Sequence, residues 1–182
     1  MYSLGISCYY HDSAAALLKD GNVIAAVEEE RFSRKKFDDD YPKMAIDWCL
    51  TEAGITPDQV GGIAFYDKPI VKFERVLDNY IAVAPRGLNS FMDVIPKWLQ
   101  KRLWIKNEIK SHLKGYKGEI IFPEHHLSHA AHSFYTSPFV TAAFLTVDGV
   151  GEWTTTSFGY AKDNEINLIR DIRWPHSLGL FY

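Results

Sequence analysis

The sequence predicts an α/β fold built on two strand cycles, and three observations carry that expectation. Near the start, three short apolar runs are separated by tight polar turns, the pattern of an antiparallel meander. A helical pattern and one more buried strand then follow at the spacing of a parallel βαβ unit. Beyond residue 140 the alternation of strand, turn, strand, turn and strand returns, a repeat of architecture rather than of letters.

In order, residues 3–8 form a short apolar strand, and after a polar turn at 9–12 a second run, 13–18, leads into Asp20-Gly21-Asn22. Asp, Gly and Asn tolerate the positive φ of a tight turn, so residues 23–27 return as a third strand. Glu28, Glu29 and Glu30 follow; on a continuing strand Glu28 and Glu30 share one side and Glu29 takes the other. After Pro42, the apolar Met44, Ile46, Trp48, Cys49, Leu50 and Ala53 recur at helical spacing, and Gly54 stands where a C-terminal glycine stops a helix. A helix over 42–53 is therefore expected. Residues 62–66 are too short for a helix and read as the buried strand of the βαβ unit.

From 69 to 117 the pattern is mostly helical, with breaks expected at Pro85-Arg86-Gly87 and at Pro96. Within it Arg102, Lys106, Lys110 and Lys114 recur every fourth residue beside Ile105, Ile109 and Leu113. That describes an amphipathic helix with a cationic edge, either a solvated face with lysine stems over apolar surface or a contact for an acidic ligand. Residues 119–122 read as a strand and 125–135 as a helix. Three more strands are expected at 142–147, 154–160 and 166–172, with Gly149-Val150-Gly151 and Asp163-Asn164 at the turns.

Composition narrows the function classes. With 182 residues, 47% hydrophobic and 24% charged, the chain has the make-up of a globular domain and not of a disordered, collagen-like or disulfide-stapled one. A net charge of -3 makes no broad magnet for nucleic acid or membrane, so any basic site is local. Cys8 and Cys49 lie in apolar stretches without partner spacing and read as buried reduced thiols. The start MYSLGISCYYHD has no basic n-region or sustained apolar run, and no stretch approaches the roughly 20 apolar residues of a membrane span. A cytoplasmic location without membrane contact is expected.

The strongest chemical signal is His125 and His129, four apart on one helix, which lets both imidazoles face one metal ion. His126 and His132 point elsewhere, His132 remaining a third candidate through its spacing of three from His129. No H-E-x-x-H pattern is present, so a zinc protease is not indicated. In Val147-Asp148-Gly149-Val150-Gly151-Glu152, Asp148 stands at a strand end as a ligand for a metal or its water, while Gly149 and Gly151 open a turn whose amides can approach a phosphate. A simple hairpin turn explains the same letters. His11 occupies the equivalent turn of the first cycle and is a candidate general base on a hydroxyl nucleophile, or a structural turn residue. The basic tail Arg34-Lys35-Lys36 fits a phosphate grip and a loop balanced by Asp38-Asp39-Asp40 about equally.

Taken in order, HDSAAALLKDG, AAVEEERFSRKK, HHLSHAAHSFYTSPF, TVDGVGE and SLGLFY resemble the O-carbamoyltransferases of nodulation-factor and antibiotic tailoring, over nearly the whole chain. Their first domain is similar to the enzymes that place threonylcarbamoyl on tRNA. The resemblance implies a ribonuclease H-like core of the actin-like ATPase superfamily: a first subdomain over 1–140 with a helical insertion at about 69–117, and the first strands of a duplicated second subdomain over 141–182. It also implies that His125, His129 and Asp148 bind a divalent metal, iron or similar, and that His11 activates the acceptor. Lys36, Gly149 and Gly151 become candidates for phosphate or nucleotide contacts. The family forms a carbamoyl-adenylate from carbamoyl phosphate and ATP and passes the carbamoyl group to an alcohol.

Members of that family are several times longer, so the chain is expected to be an N-terminal fragment, inactive alone. It would lack a further metal carboxylate and the adenylate-forming site. Its second strand set would then be short of neighbours and prone to pair as a homodimer. Residues 3–137 are expected to form one mixed sheet with the 125–135 helix packed beside it. Two other readings compete: a non-catalytic ATP- or metal-binding module of the same superfamily, and a nucleic-acid binder using residues 97–117. Net charge and the lack of aromatic stacking motifs speak against the latter.

Overall fold

The computed structural model describes residues 1–182. Strands β1 (Tyr2–Ser7), β2 (Ala14–Lys19) and β3 (Asn22–Glu28) form the expected antiparallel meander. Asp20 and Gly21 both take positive φ, as a two-residue hairpin loop requires. After the single turn α1 (Glu30–Ser33) comes α2 (Lys43–Ala53), ended by Gly54 in the left-handed conformation. Ala45, Ile46, Cys49 and Leu50 form its buried stripe, two adjacent pairs repeating after four residues, and the helix packs on β2 and β3. Strand β4 (Val60–Phe65) then runs parallel to β1.

Helices α3 (Pro69–Val83) and α4 (Leu88–Gln100) follow, then α5 (Ile105–His112) and β5 (Glu119–Ile121), which lies parallel to β4. Helix α6 spans His125–Tyr135. The last strands, β6 (Thr141–Val147), β7 (Thr154–Lys162) and β8 (Glu165–Arg173), form a second antiparallel meander before the short α7 (Leu178–Phe181).

The chain packs as two units, Met1–Tyr66 with Lys97–Phe122, and Asp67–Pro96 with Pro123–Tyr182. In the first, the sheet order is β3-β2-β1-β4-β5, antiparallel through the meander and parallel from β1 to β5. That is the strand order expected of a ribonuclease H-like sheet, and the second meander repeats the antiparallel pattern of the first three strands. Leu4, Leu17, Ile46, Ile63 and Phe65 are fully buried in the first core, each contributing about 1.5–3 kcal/mol by leaving water. Ile105, Ile109 and Leu113 join them, while Lys106, Lys110 and Lys114 stay exposed. The apolar row thus holds the helix, and the cationic edge is solvated.

In the second unit the sheet is β6-β7-β8, and α6 packs on it through Ala130, Phe134 and His126. Leu145, Val147, Phe158 and Tyr160 are 45–67% exposed on this sheet. No helix is long and apolar enough to cross a membrane.

Three details depart from the sequence reading. Helix α4 continues through Pro96, although an interior proline costs about 3 kcal/mol. Ile95 and Trp98 on either side are buried, and their packing carries the helix past the missing N–H. The three glutamates do not continue β3: the strand ends at Glu28 and a helical turn begins at Glu30. Glu29 instead turns inward and accepts hydrogen bonds from the Met44 and Ala45 N–H groups at 3.0 and 2.7 Å, filling the N-terminus of α2. Finally, α6 packs on β6–β8 of its own unit, and its buried stripe includes His126, Ala130 and Phe134.

Candidate metal centre

Helix α6 opens after Pro123 with Glu124 in an extended conformation, and its four-residue period stacks the His125 and His129 rings with centroids 4.6 Å apart. Asp148 follows the end of β6, its own N–H bonded to the Thr155 carbonyl at 2.9 Å. Its Oδ1 accepts the Gly149 N–H at 2.6 Å, which turns Oδ2 toward α6. Nε2 of His125 then lies 2.8 Å from Asp148 Oδ2 and 3.1 Å from Nε2 of His129. The three ligand atoms all fall within 4.8 Å of one another.

The electrostatics favour a cation among these atoms. The hydrogen bond from His125, reinforced by the Gly149 N–H, holds the Asp148 carboxyl well below the usual carboxylate range despite its partial burial. Burial lowers the pKa of His129, and the neighbouring His125 lowers it further, so its ring is kept neutral with a lone pair to give. Two imidazoles and one carboxylate, with His125 buried, Asp148 partly buried and His129 open to solvent, are a donor set for a first-row divalent metal.

His126 faces another way. It is 2% exposed, and its Nδ1 lies 2.6 Å from Thr146 Oγ1, which is itself 2.6 Å from Ser157 Oγ. His132 takes no part in the convergence. The two glycines of the turn face protein: a Cβ on Gly151 would lie 3.0 Å from His125 Cβ, and one on Gly149 would lie 3.3 Å from Leu180 Cδ2. Their lack of a side chain lets α6 and α7 approach the turn.

His11 belongs to the first unit. Its ring is exposed, with Nδ1 2.8 Å from Asp12 Oδ2. The turn that carries it is strapped at both ends, by Tyr9 N–H to the Asp39 carbonyl and Ser13 N–H to the Asp38 carbonyl, each at 2.7 Å. Tyr9 and Asp12 both have positive φ, an uncommon conformation for residues other than glycine. The buried Tyr9 ring anchors the turn: its hydroxyl donates to Glu108, and burial, with Glu108 beside it, pushes the phenol far above its ordinary value.

Lys36 is exposed and lies over the Phe37 ring at 4.8 Å. Its neighbour Lys35 is the one committed to the acidic loop, 3.2 Å from Asp38 and 3.3 Å from Asp40, with Lys101 also paired to Asp40. A hydrogen bond from Ser33, with the Asp40 N–H and Lys35, keeps Asp38 below the usual carboxylate range.

Sequence reasoning missed Glu152. This residue is 6% exposed, and its carboxylate accepts the His125 N–H through both oxygens at 3.1 Å and the Lys68 N–H at 2.8 Å. The Arg75 guanidinium, also buried, donates to its backbone carbonyl. The glutamate closes the TVDGVGE string, but nothing in its spacing ties it to His125, 27 residues upstream.

A family described as the carbamoyltransferase N-terminus matches residues 2–182. The chain is 51% identical to the uncharacterized protein sll1178 of Synechocystis over 98% of its length and 30% of that protein's. It is 32% identical to the nodulation protein NolNO of Sinorhizobium fredii, covering 96% of this chain and 25% of that one. Among solved structures, YeaZ from Pseudomonas aeruginosa aligns with a TM-score of 0.46 and 14% identity, over 94% of this chain and 65% of that one. The chain therefore spans between a quarter and a third of the length of those two sequence relatives. Matched by that family along almost its entire length, the chain belongs to the N-terminal domain family of the carbamoyltransferases.

Proposed function

We propose that the chain forms the transfer site of an O-carbamoyltransferase and holds a divalent metal, iron or similar, on His125, His129 and Asp148. The observation that carries this reading is the convergence of three ligand atoms within 4.8 Å of one another. The donor on the alcohol side is a carbamoyl-adenylate made from carbamoyl phosphate and ATP elsewhere in the full-length protein. The alcohol oxygen attacks the carbamoyl carbon, the bond from that carbon to the adenylate phosphate oxygen breaks, AMP leaves, and the hydroxyl proton goes to a base. A bound divalent ion supplies a Lewis acid for the carbamoyl oxygen.

The chain's own residues do the rest. His11, exposed and with one ring nitrogen engaged by Asp12, takes the hydroxyl proton on the other. Asp148, held ionised, fixes the His125 ring and balances the charge of the cation. Lys36, Gly149 and Gly151 are the same reading's candidates for phosphate or nucleotide contact, although the Gly149 and Gly151 N–H groups already donate to Asp148 Oδ1 and the Thr154 carbonyl.

The test uses the full-length protein with ATP, carbamoyl phosphate and a panel of alcohols, followed by mass spectrometry. Metal-dependent appearance of AMP and of an acceptor heavier by one carbamoyl group is expected. AMP without any carbamoylated alcohol, across sugars and other hydroxyl acceptors, would favour a non-catalytic module in this part of the chain.

A further inference from the structure

We propose that Glu152 is a positioning residue for the metal centre: it sets the first turn of α6 and thereby aims the His125 ring at Asp148. The consequence for metal binding rests on the reading above, whereas the aiming of the ring belongs to the metal-free protein. The first four N–H groups of a helix have no partner inside it. An N-cap side chain normally serves them, but Glu124 makes no such bond, and its carboxylate is drawn to Lys68 Nζ at 3.1 Å. Glu152 supplies the missing acceptor from 27 residues downstream.

Its place in the chain gives that bond a second effect. Asp148 and Glu152 stand at the two ends of one turn, so a single loop carries a ligand and also grips the helix bearing the other two ligands. Gly151 closes the fit, its Cα facing the His125 Cβ with no room for a side chain between them. The same carboxylate takes the Lys68 N–H at the start of α3, and Arg75 from that helix holds the Glu152 backbone. The anchor is thus itself fixed from two directions. A drift of the first α6 turn would carry the ring out of the 2.8 Å contact with Asp148.

Glu152→Gln and Glu152→Ala in the full chain test this against Phe134→Leu, which loosens the buried far end of α6 without touching its first turn. Long-range nitrogen–proton NMR spectra of the metal-free histidine rings give the first readout. The wild type and Phe134→Leu should show one fixed His125 tautomer in contact with Asp148, and both Glu152 variants should show an averaged one. Cobalt(II) titration gives the second: about 10-fold to 100-fold weaker binding for Glu152→Ala, an intermediate loss for Glu152→Gln, and less than a threefold change for Phe134→Leu at a matched drop in melting temperature. Should Glu152→Ala fail to fold, Glu152→Gln carries the comparison. Fixed His125 signals in the Glu152 variants, or equal cobalt losses in Phe134→Leu, would overturn the proposal. If the wild type binds no cobalt, the metal reading fails and the ring spectra alone decide the positioning role.

Discussion

Gly151→Ala is the sharpest single-atom perturbation of the site. The added Cβ would lie 3.0 Å from His125 Cβ, 3.2 Å from His126 Cδ2 and 3.3 Å from His125 Cδ2, where carbon atoms rest at about 3.5–4.0 Å. None of the three atoms can swing aside freely. The first is fixed to the helix backbone, and the two rings are tied by His126 to Thr146 and His125 to Asp148. Relief therefore requires α6 and the turn to part by roughly half an ångström, an overpacking cost of about 1–3 kcal/mol. At about 2–4 °C per kcal/mol for a chain of this size, the melting temperature should fall by about 2–12 °C. The same parting lengthens the His125 to Asp148 contact, so cobalt(II) affinity should drop about 10-fold in calorimetric titration. Gly62→Ala is the control, since a Cβ there meets no atom within 4 Å, and it should stay within about 0.5 kcal/mol of wild type. A Gly151→Ala protein that melts within 1 °C of wild type (roughly the scatter of surface substitutions) and binds cobalt equally well would refute the close approach.

Tyr9→Phe removes the hydroxyl that donates to Glu108 and should cost about 1–2 kcal/mol in urea unfolding; an unchanged midpoint would mean that the bond is not made. Thermal stability of the metal-free protein should depend on pH in two stages. His126 and His129, lowered by burial, bind protons better when unfolded, so stability holds above about pH 6.5 and declines below it. Asp148, depressed by its bond from His125, adds stability above about pH 4 that is lost as pH falls through the carboxylate range. A flat melting profile between roughly pH 7 and 5 would contradict the histidine part. In the full-length protein, His11→Ala should slow transfer by about 10²-fold to 10⁴-fold while leaving metal content unchanged; loss of metal would make His11 a ligand instead of a base.

Much of the architecture was readable because it is encoded locally. Asp20-Gly21 announces a hairpin through the φ values it tolerates, and Gly54 announces a helix end for the same reason. Helix α6 has the predicted bounds, His125–Tyr135, and with them the juxtaposition of His125 and His129 follows from the helical period. Asp148 reads locally only as a carboxylate at a strand end beside a glycine turn; that it meets His125, 23 residues away, is implied by the family resemblance and not by any spacing. What escaped was decided at long range. Which sheet α6 covers depends on whether His126, Ala130 and Phe134 meet the first or the second meander, and both meanders carry the same pattern. The continuation through Pro96 depends on burial of Ile95 and Trp98, which periodicity does not weigh against a proline. Glu152 escaped because a cap supplied from 27 residues away leaves no spacing to recognise.

Metal stoichiometry across the histidine variants tests the central claim most directly. After reconstitution with cobalt(II) or iron(II) and gel filtration, the full-length wild type should retain metal, measured by plasma mass spectrometry, while His125→Ala, His129→Ala and Asp148→Ala should each lose it. His126→Ala should keep the ion, because its ring is turned to Thr146 and away from the other ligand atoms. Loss of metal in His126→Ala together with retention in His125→Ala would contradict the assignment of the helix face, and with it the site.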